Sequence, residues 1–424
     1  MVKRILFIFG LIIVFFFSGY DAIAHDWPQF RGLNRDGVSP EKGLLQKWPQ
    51  QGPKLIWKTK EDLGEGHSSV AVAKKIIFTT GMIKGEGVLF AFNLQGVLLW
   101  KQNYGPEWKR TWPGSRSTPT IIGSKLYLFS GVGKLICFST EEGEILWSRH
   151  LVEEYQGIKT EWGWAESPLI FDDNVICTPA GQRVTMVALN RHSGKTVWTS
   201  RSLGEQHAYC TAIKIKRGQN TVIVNRTEHF LFGINGTNGK ILWKYDCKEF
   251  MKPAKPPQIH PNPPIYRDGF VYITSGYDAG GAKFSLSEDG QKLKLIWTDK
   301  ILDVFLGGAV LVGGKIYGAN YSRKKKSRWI SLDWKTGKPL GEMNWDNHQG
   351  VTIYADNRLY CYAEKTGELR LIKTEPSFEV TGSFKIPSRQ PGSFWAHPAI
   401  SDGRLYIRHK SQLYCYDIKK LKKE

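Results

Sequence analysis

The sequence lacks the cysteine spacings that mark metal, haem and thiol redox centres. Its six cysteines form no adjacent pair and no CxxC motif: they are Cys137, Cys177, Cys210, Cys247, Cys361 and Cys415. This arrangement argues against a cysteine zinc site, a covalently attached haem and a thioredoxin-like centre. Each cysteine lies in or beside an apolar strand pattern, so we expect buried thiols. The spacing predicts no particular disulfide pairing.

Helical patterns, membrane-spanning runs and acidic residues are also scarce. Long helical periodicity is missing, whereas glycine (44 residues) and tryptophan (16 residues) are plentiful, which favours an all-β protein. After residue 24 no apolar run is long enough to cross a membrane. Lys and Arg outnumber Asp and Glu by 59 to 39, which favours an acidic partner. The sequence shows no nucleic-acid recognition motif, catalytic triad or catalytic carboxylate pair, and we expect no nucleic-acid partner.

Residues 1–24 predict a cleaved secretory signal peptide. Two basic residues precede an apolar run from Ile5 to Ser18, and "AIA" ending at Ala24 fits a cleavage site for small residues. The run is short for a membrane anchor, which needs about 20 residues. No cysteine lies near the site to carry a lipid. We therefore expect a periplasmic or secreted protein that begins near His25.

A short motif recurs along the chain at nearly constant spacing. A polar turn, a glycine and a tryptophan four residues later appear in "STEEGEILW", "NRHSGKTVW" and "NGTNGKILW", and "NLQGVLLW" is a shorter copy. The tryptophans are Trp100, Trp147, Trp198 and Trp243, at steps of 47, 51 and 45 residues. A four-stranded propeller blade has a period of about 40–50 residues. The repeat therefore predicts a β-propeller.

The second strand of the repeat allows the blades to be counted. It recurs eight times, as "KIIFTT", "KLYLFS", "NVICTP", "NTVIVN", "GFVYIT", "KIYGAN", "RLYCYA" and "RLYIRH". Tight turns that contain glycine separate neighbouring strands, so each blade should be an antiparallel meander. We predict an all-β fold: one eight-bladed β-propeller of four-stranded antiparallel blades.

The two ends of the chain predict how the ring closes. The last blade has three strands, and "KLIW", which ends at Trp57, resembles a fourth strand without a blade of its own. An N-terminal strand that completes the last blade would close the ring and remove an exposed sheet edge. We therefore assign residues 54–424 to a single propeller and residues 25–53 to an ordered extension on its surface. We expect the protein to be a monomer.

The repeated tryptophans should pack between blades. In "GEILW" both Leu146 and its neighbours are apolar, which predicts a strand that is covered on both faces. The motif drifts in the later blades. Trp297 stands seven residues after its glycine, and Pro339 and Gly341 interrupt the sixth copy. These junctions are expected to pack differently.

Polar and aromatic residues cluster just before the first strands, which line the central channel of a propeller. They predict a ring of side chains at one mouth of the channel that could bind a ligand. The candidates are His67, Arg116, Trp164, Glu166, His207, His260, His348, Trp395 and His397. For any single histidine, a polar lining of a wet channel is the alternative. A metal site is not expected, since residues on different blades stand too far apart for metal–ligand distances of about 2 Å.

The strand–turn–Gly–x–x–x–Trp unit resembles the pyrroloquinoline quinone (PQQ) repeat family of eight-bladed propellers, over about residues 54–418. One branch of that family comprises quinoprotein dehydrogenases and another comprises non-enzymatic propellers similar to the outer-membrane assembly protein BamB. The enzyme branch implies PQQ held between a Trp and, in many members, a disulfide of adjacent cysteines, with calcium and an Asp base. This chain has no adjacent cysteines, and only Glu166 in "WAESP" could imitate a calcium ligand.

The resemblance therefore implies a non-catalytic binding or scaffold protein without a cofactor. Its partner would be a protein or an anionic glycan. The BamB-like branch carries a lipid anchor for which this chain has no cysteine. The alternative is a dehydrogenase that uses PQQ with calcium to oxidise alcohols or sugars.

Overall fold

The protein forms eight four-stranded antiparallel sheets in a computed structural model that describes residues 26–250, 259–321, 327–345, 348–374 and 378–420. Seven sheets are meanders of consecutive strands. The prediction of an eight-bladed propeller is confirmed. The predicted signal peptide, residues 1–24, lies outside the described residues.

The first four blades are built from consecutive strands. Their bounds are β2 (Ala71–Ala73), β3 (Ile76–Ile83), β4 (Glu86–Asn93) and β5 (Leu98–Pro106) in blade 1; β6 (Thr120–Ile122), β7 (Lys125–Phe129), β8 (Lys134–Ser139) and β9 (Ile145–His150) in blade 2; β10 (Leu169–Phe171), β11 (Asn174–Cys177), β12 (Val187–Asn190) and β13 (Thr196–Thr199) in blade 3; and β14 (Ile213–Arg217), β15 (Asn220–Arg226), β16 (Phe230–Asn235) and β17 (Ile241–Asp246) in blade 4. One short helix, α1 (Leu151–Glu154), follows blade 2.

The remaining blades repeat this plan. Their bounds are β18 (Ile265–Arg267), β19 (Phe270–Ser275), β20 (Gly280–Leu286) and β21 (Leu293–Asp299) in blade 5; β22 (Val310–Val312), β23 (Lys315–Ala319), β24 (Arg328–Asp333) and β25 (Pro339–Asn344) in blade 6; β26 (Gly350–Ala355), β27 (Arg358–Ala363), β28 (Glu368–Lys373) and β29 (Glu379–Lys385) in blade 7; and β30 (Ala399–Ser401), β31 (Arg404–His409), β32 (Gln412–Asp417) and β1 (Lys54–Lys58) in blade 8.

Strands from both ends of the chain close the ring. The N-terminal strand β1 pairs antiparallel with β32, with Lys54 opposite Asp417 and Trp57 opposite Cys415. The predicted closure is therefore confirmed. Without β1 the main-chain groups along one edge of β32 would be unpaired, and an unpaired strand edge is a site for aggregation.

Each repeated tryptophan packs on the glycine turn of the next blade. The ring of Trp147 in blade 2 covers Gly194 in blade 3, and its indole N–H donates to Arg191 O at 3.1 Å. Glycine is required at this turn because a Cβ at Gly194 would lie 2.9 Å from the indole and the backbone φ is +70°. The turn and the tryptophan recur together because each docks on its counterpart in the adjacent blade.

Two packing expectations were wrong. Trp297 docks on Gly337 of blade 6 and donates to Lys335 O at 3.0 Å, as the earlier copies do. The longer hairpin does not change this contact, because Trp297 still stands directly after the bulge in its strand, as Trp147 does. The strand face that carries Leu146 is open, since the Leu146 side chain is 40% exposed. Val197 stands at the same place in blade 3 and is 50% exposed. These fourth strands form the outer edges of the blades, so the face opposite the tryptophan meets solvent.

The last junctions use a different aromatic contact. In blade 7, Gly382 occupies the strand position, next to the bulge, that the repeated tryptophan occupies in the earlier blades. Trp48 from the N-terminal extension packs against Gly382 and lies 5.1 Å, between ring centroids, from Phe384. Here the extension supplies the buried ring that the blade itself lacks.

The N-terminal extension crosses the central channel. Trp27 forms a β-bridge with Val72 of blade 1, and Val38 forms one with Tyr354 of blade 7. Between them, the buried guanidinium of Arg31 donates to Ala309 O at 2.6 Å in blade 6. The buried guanidinium of Arg35 donates on the other side to carbonyls that precede the first strands of blades 3 and 4. The extension therefore fills one end of the channel.

Candidate functional site

A pocket of about 700 Å³ opens at the other end of the channel. We call it the mouth pocket. All eight blades contribute to its wall through residues that lie before or at the start of their first strands. One such residue from each blade, in chain order, is His67, Arg116, Ala165, Tyr209, Pro261, Leu306, Gln349 and Trp395. Phe30 of the extension also lines the pocket, so the plug at the far end of the channel bounds it. Ligand pockets of proteins span about 300–1,000 Å³.

Side chains that accept main-chain N–H groups hold the blades together below this pocket. The His397 N–H of blade 8 donates to Ser69 Oγ at 2.7 Å, and the Ser69 N–H donates to Thr118 Oγ1 at 3.2 Å. The chain of contacts continues through Ser167 Oγ and Thr211 Oγ1 into blades 3 and 4. The polar lining is therefore fixed by hydrogen bonds between blades, and the mouth is preorganised.

Aromatic rings form two clusters on opposite sides of the wall. On the side of blades 8, 1 and 2, the ring of Trp395 lies 4.9 Å from that of Trp112 and 4.9 Å from that of His67. On the side of blades 5 and 6, the rings of Tyr277, Phe305 and Tyr321 lie 4.7–5.1 Å apart. A third pair, Trp162 and Tyr209, stands between the clusters on blades 3 and 4. The pocket is therefore walled largely by amphipathic rings.

Arg116 contributes the main cationic group of the wall. Its guanidinium donates to three carbonyls of its own loop, Gly114 O at 2.8 Å, Thr111 O at 3.0 Å and Trp112 O at 2.5 Å. Burial lowers its pKa to about 10, and the nearby Glu107 opposes that shift. The side chain therefore stays charged at neutral pH and is held in one orientation by its loop.

The two histidines of the wall are neutral. Burial lowers the pKa of His397 to about 3, with a further contribution from the Arg31 charge. Its Nε2–H donates to Leu306 O at 2.9 Å, while Nδ1 faces Arg31 at 3.4 Å. Burial, with Arg116 and other cations, holds the pKa of His67 well below its usual range. The Nε2 atom of His67 is buried without a hydrogen-bond partner in the described part of the chain.

Glu364 is the acid of the wall. Its Oε1 accepts from Gln349 Nε2 at 2.8 Å, and Gln349 Oε1 accepts in turn from Ser327 Oγ at 2.7 Å. Burial raises the pKa of Glu364 to about 7, and both the Gln349 bond and the Lys365 charge oppose that shift. Lys365 also lines the pocket. With Glu364 only partly ionised at neutral pH, the wall carries a net positive charge.

The structure places four of the nine predicted site residues on the pocket wall: His67, Arg116, Trp395 and His397. The other five lie behind the wall or beside it. Trp164 stacks on His207 at 4.8 Å between ring centroids, and His207 Nε2 pairs with Thr160 Oγ1 at 3.1 Å. His260 pairs with Glu228 O at 2.9 Å, and His348 stacks on Trp345 at 5.2 Å. Burial lowers the pKa of His207 to about 3.

Distance from the first strand accounts for part of this division, although His348 lies off the wall and stands two residues before β26, as His397 does before β30. His67, Arg116 and Trp395 each stand four residues before their first strand, and His397 stands two before. Glu166 stands three residues before β10, which turns its side chain into the blade. The aromatic residues of blades 5 and 6 were not foreseen. Phe305 lies in the loop before β22, and nothing distinguishes that loop from others in the sequence.

Glu166 and its surroundings do not fit a calcium–PQQ site. Its Oε2 accepts from Thr178 N at 2.7 Å, and its Oε1 accepts from Thr178 Oγ1 at 3.0 Å and Asn225 Nδ2 at 3.4 Å. Burial raises the pKa of Glu166 to about 8, a shift that the Thr178 bonds and Arg35 oppose. A calcium site needs several oxygen ligands around one ion, and these oxygens already bond inside blades 3 and 4.

Neither metal clusters nor membrane spans occur in the described ranges. No group of three or more His, Cys, Asp or Glu side chains there could hold a metal ion. All six cysteines are free and buried, so none stands ready to stack on a quinone in the mouth pocket. None of the helices in the described ranges is long and apolar enough to cross a membrane.

Solved structures with the same fold include BamB and two dehydrogenases. BamB from Moraxella catarrhalis has 12% identity and a TM-score of 0.60, over 86% of this chain and 99% of that one. A europium-containing methanol dehydrogenase has 12% identity and a TM-score of 0.69, over 91% and 89%. A quinohemoprotein alcohol dehydrogenase from Pseudomonas putida has 12% identity and a TM-score of 0.65, over 94% and 81%. At such identities the likeness shows the fold alone.

The sequence itself matches one family over most of the propeller. No curated protein matches the chain. The sequence profile of the PQQ-repeat family described as "Outer membrane protein assembly factor BamB" matches residues 85–341. These residues run from blade 1 into blade 6 and contain the docked tryptophans. The chain belongs to the BamB-like family of PQQ-repeat β-propellers.

Proposed function

We propose that the protein is an exported, non-catalytic binding protein that engages its partner through the mouth pocket and the loops around it. The observation that carries this proposal is the blind pocket, which has aromatic walls and is bounded by Phe30 of the extension. A blind pocket encloses the end of a ligand and suits capture. Family membership supports a binding role, since the profile is named for an assembly factor.

The site chemistry favours binding over oxidation. The wall holds one cation with a fixed orientation, a partly ionised carboxyl and two neutral histidines. The wall offers tryptophan rings but no disulfide of adjacent cysteines, and the described residues contain no cluster of acidic side chains that could hold calcium. Glu166, the one residue that could imitate a calcium ligand, bonds inside the blades instead.

Export follows from residues 1–24, which we propose are removed as a signal peptide. The mature chain would then act in the periplasm or outside the cell as a monomer. Its partner would be a protein or an anionic glycan. The name of the matched family favours a protein partner, whereas the aromatic wall and its net positive charge favour a glycan.

A capture experiment tests the mouth pocket as the working surface. The mature chain is immobilised and exposed to a cell-envelope extract, beside a variant that combines Arg116→Gln and Trp395→Ala. A second variant, Val197→Thr, changes an exposed residue on the outer edge of blade 3 and serves as the control. We expect capture by the parent and the control and loss of capture by the pocket variant, with unchanged melting temperatures. Equal capture by all three proteins would show that another surface binds the partner.

A further inference from the structure

The mouth pocket offers hydrogen-bond donors that the protein itself does not use. Arginine has five N–H donors. Three hydrogen bonds to carbonyls of its own loop occupy part of the Arg116 guanidinium and leave Nε–H and one Nη1–H. No ion pair of Arg116 with an acid occurs in the described part of the chain. The free donors therefore lie on a charged group at the pocket wall.

Glu107 is the acid whose charge acts on Arg116, and its carboxyl already bonds to other groups. Glu107 is buried, and its carboxyl accepts from Tyr104 Oη at 2.8 Å, Trp108 N at 2.8 Å and Gly131 N at 2.7 Å. These bonds occupy the Glu107 carboxyl, and no hydrogen bond or ion pair joins it to Arg116 among the described residues. The positive charge of Arg116 therefore remains available to a carboxylate from outside the protein.

His67 lies beside Arg116 on the same side of the wall. Its buried Nε2 atom has no hydrogen-bond partner among the described residues, and its ring packs at 4.9 Å against Trp395. Because this atom is shielded from solvent, His67 offers a ligand its ring and not this nitrogen. Arg116 and His67 lie in adjacent blades, and both line the pocket.

The geometry of the rings favours a sugar over a flat aromatic ligand. Rings that neighbour each other along the pocket wall are tilted, with interplanar angles of 70° for Trp112–Trp395, 65° for Tyr277–Phe305 and 64° for Trp162–Tyr209. None of these pairs forms parallel walls that would sandwich an aromatic plane. A pyranose stacks one face on one ring and directs its hydroxyl groups sideways. Ser327 and Gln349 stand on the wall to meet such groups.

We propose that the mouth pocket binds a uronic acid at the end of an acidic glycan, with the carboxylate on Arg116 and the sugar ring on Trp395. This inference rests on the proposed binding function and names the ligand class for the same pocket. Lys365, on the wall at blade 7, would meet a second carboxylate of the chain. The size of the pocket allows more than one sugar unit to enter.

Calorimetry with matched sugars tests the ligand class. The probes are trigalacturonate, its fully methyl-esterified form, which keeps the rings and removes the charge, and 2-naphthoate and PQQ as flat aromatic carboxylates. We expect trigalacturonate to bind about tenfold or more tightly than its ester, since hydrogen bonds to charged groups are the stronger ones. Its affinity should fall as salt is raised, whereas the affinity of the ester should not. Equal affinity of the two sugars, or tighter binding of 2-naphthoate or PQQ, would overturn the proposal.

Two variants assign the carboxylate contact. Arg116→Gln should weaken trigalacturonate about tenfold to a hundredfold and leave the ester nearly unchanged. Arg110→Gln is the matched control, because Arg110 belongs to the same loop and also lies 5.8 Å from the Trp108 ring but does not line the pocket. Thermal melts check folding, and Trp395→Phe, which keeps a ring, should retain binding. An unchanged affinity in a folded Arg116→Gln variant would refute the assignment.

The capture experiment separates this inference from the proposed function. If no acidic sugar binds but the pocket variant still loses capture from the extract, the ligand class is wrong and the binding role stands. If the pocket variant also captures normally, both proposals fail. Binding of trigalacturonate together with loss of capture supports both.

Discussion

Trp198 of blade 3 covers Gly239 of blade 4, and its indole N–H donates to the carbonyl of Gly236 at 2.9 Å. A Cβ at Gly239 would lie 2.5 Å from Cε3 of this indole. The two residues therefore form one contact, in which a glycine gives the ring room and the turn gives its N–H a partner. Because the contact recurs between successive blades, it links the local turn to the closure of the whole ring.

Replacing the ring should destabilise the protein strongly. Trp198 is 7% exposed, so Trp198→Ala should lower the free energy of unfolding by about 3–5 kcal/mol, the usual range for a large buried aromatic. Urea unfolding followed by circular dichroism measures the loss. Trp112→Ala is the control, since the Trp112 side chain is 51% exposed. A loss below about 1 kcal/mol at Trp198, typical of surface positions, would contradict the docking account.

The glycine should be as necessary as the ring. Gly239→Ala places a Cβ against the indole and also forces alanine to a φ of +74°. Gly314→Ala separates the two effects, because Gly314 has a φ of +73° and no atom lies within 4 Å of the place that a methyl group would take there. We expect Gly314→Ala to cost about 1–2 kcal/mol from the backbone alone and Gly239→Ala to cost clearly more. Equal melting temperatures for the two variants would mean that the indole of Trp198 moves aside without a loss of stability.

The fold could be predicted because its motif is repeated. The site residues belong to no repeated motif, and fewer than half of the predicted ones line the pocket. The turn, the glycine and the tryptophan occur several times in the sequence, so a misread copy is corrected by the others. The order and pairing of the strands could therefore be predicted. Side-chain direction at a single position has no such support. Glu166 and Arg116 both precede a first strand, but a shift of one residue turns Glu166 into the blade while Arg116 faces the pocket.

Contacts between residues far apart in the chain could not be predicted where no local sequence pattern marks them. The buried Arg31 and Arg35 carry no periodicity, and the blade carbonyls that they bond lie more than 100 positions away in the chain. Their role depends on where the extension crosses the channel, which the blade repeat does not specify. Tyr277 of blade 5 and Phe305 of blade 6 likewise meet because the two blades are neighbours in the ring.

Removing the closing strand should open the ring. A chain that begins after Lys58 lacks β1 and exposes the edge of β32, so we expect aggregation and a lower melting temperature. Analytical ultracentrifugation at several concentrations measures the association. Addition of a synthetic peptide of residues 50–60 should restore part of the monomeric fraction. A truncated chain that stays monomeric with an unchanged melting temperature would show that β1 does not contribute to stability.

The carboxyl of Glu364 should make stability depend on pH. Its folded-state pKa is raised from 4.5 to about 7 by burial, so the stability that it contributes is present below about pH 4.5 and lost as pH rises through 7. Glu364→Gln keeps an acceptor for Gln349 and removes the ionisation. We expect the variant to equal the parent near pH 4.5 and to exceed it by about 2–3 kcal/mol near pH 8. A constant difference across this range would show that Glu364 ionises freely in the folded protein.

The last prediction separates the binding role from the dehydrogenase role that the fold also permits. The oxygens of Glu166 bond Thr178 and Asn225, and the described residues contain no cluster that could hold a metal ion. We therefore expect the mature chain to take up PQQ weakly or not at all with added calcium, and to show no dye-linked oxidation of simple alcohols or aldoses. Fluorescence titration measures the uptake, since Trp112 and Trp395 line the pocket. Sub-micromolar, calcium-dependent uptake with turnover would make the protein an enzyme. In that case Glu166→Gln and Glu364→Gln would identify the calcium ligand, because Glu364 already lines the pocket and Glu166 could reach the channel after release from Thr178.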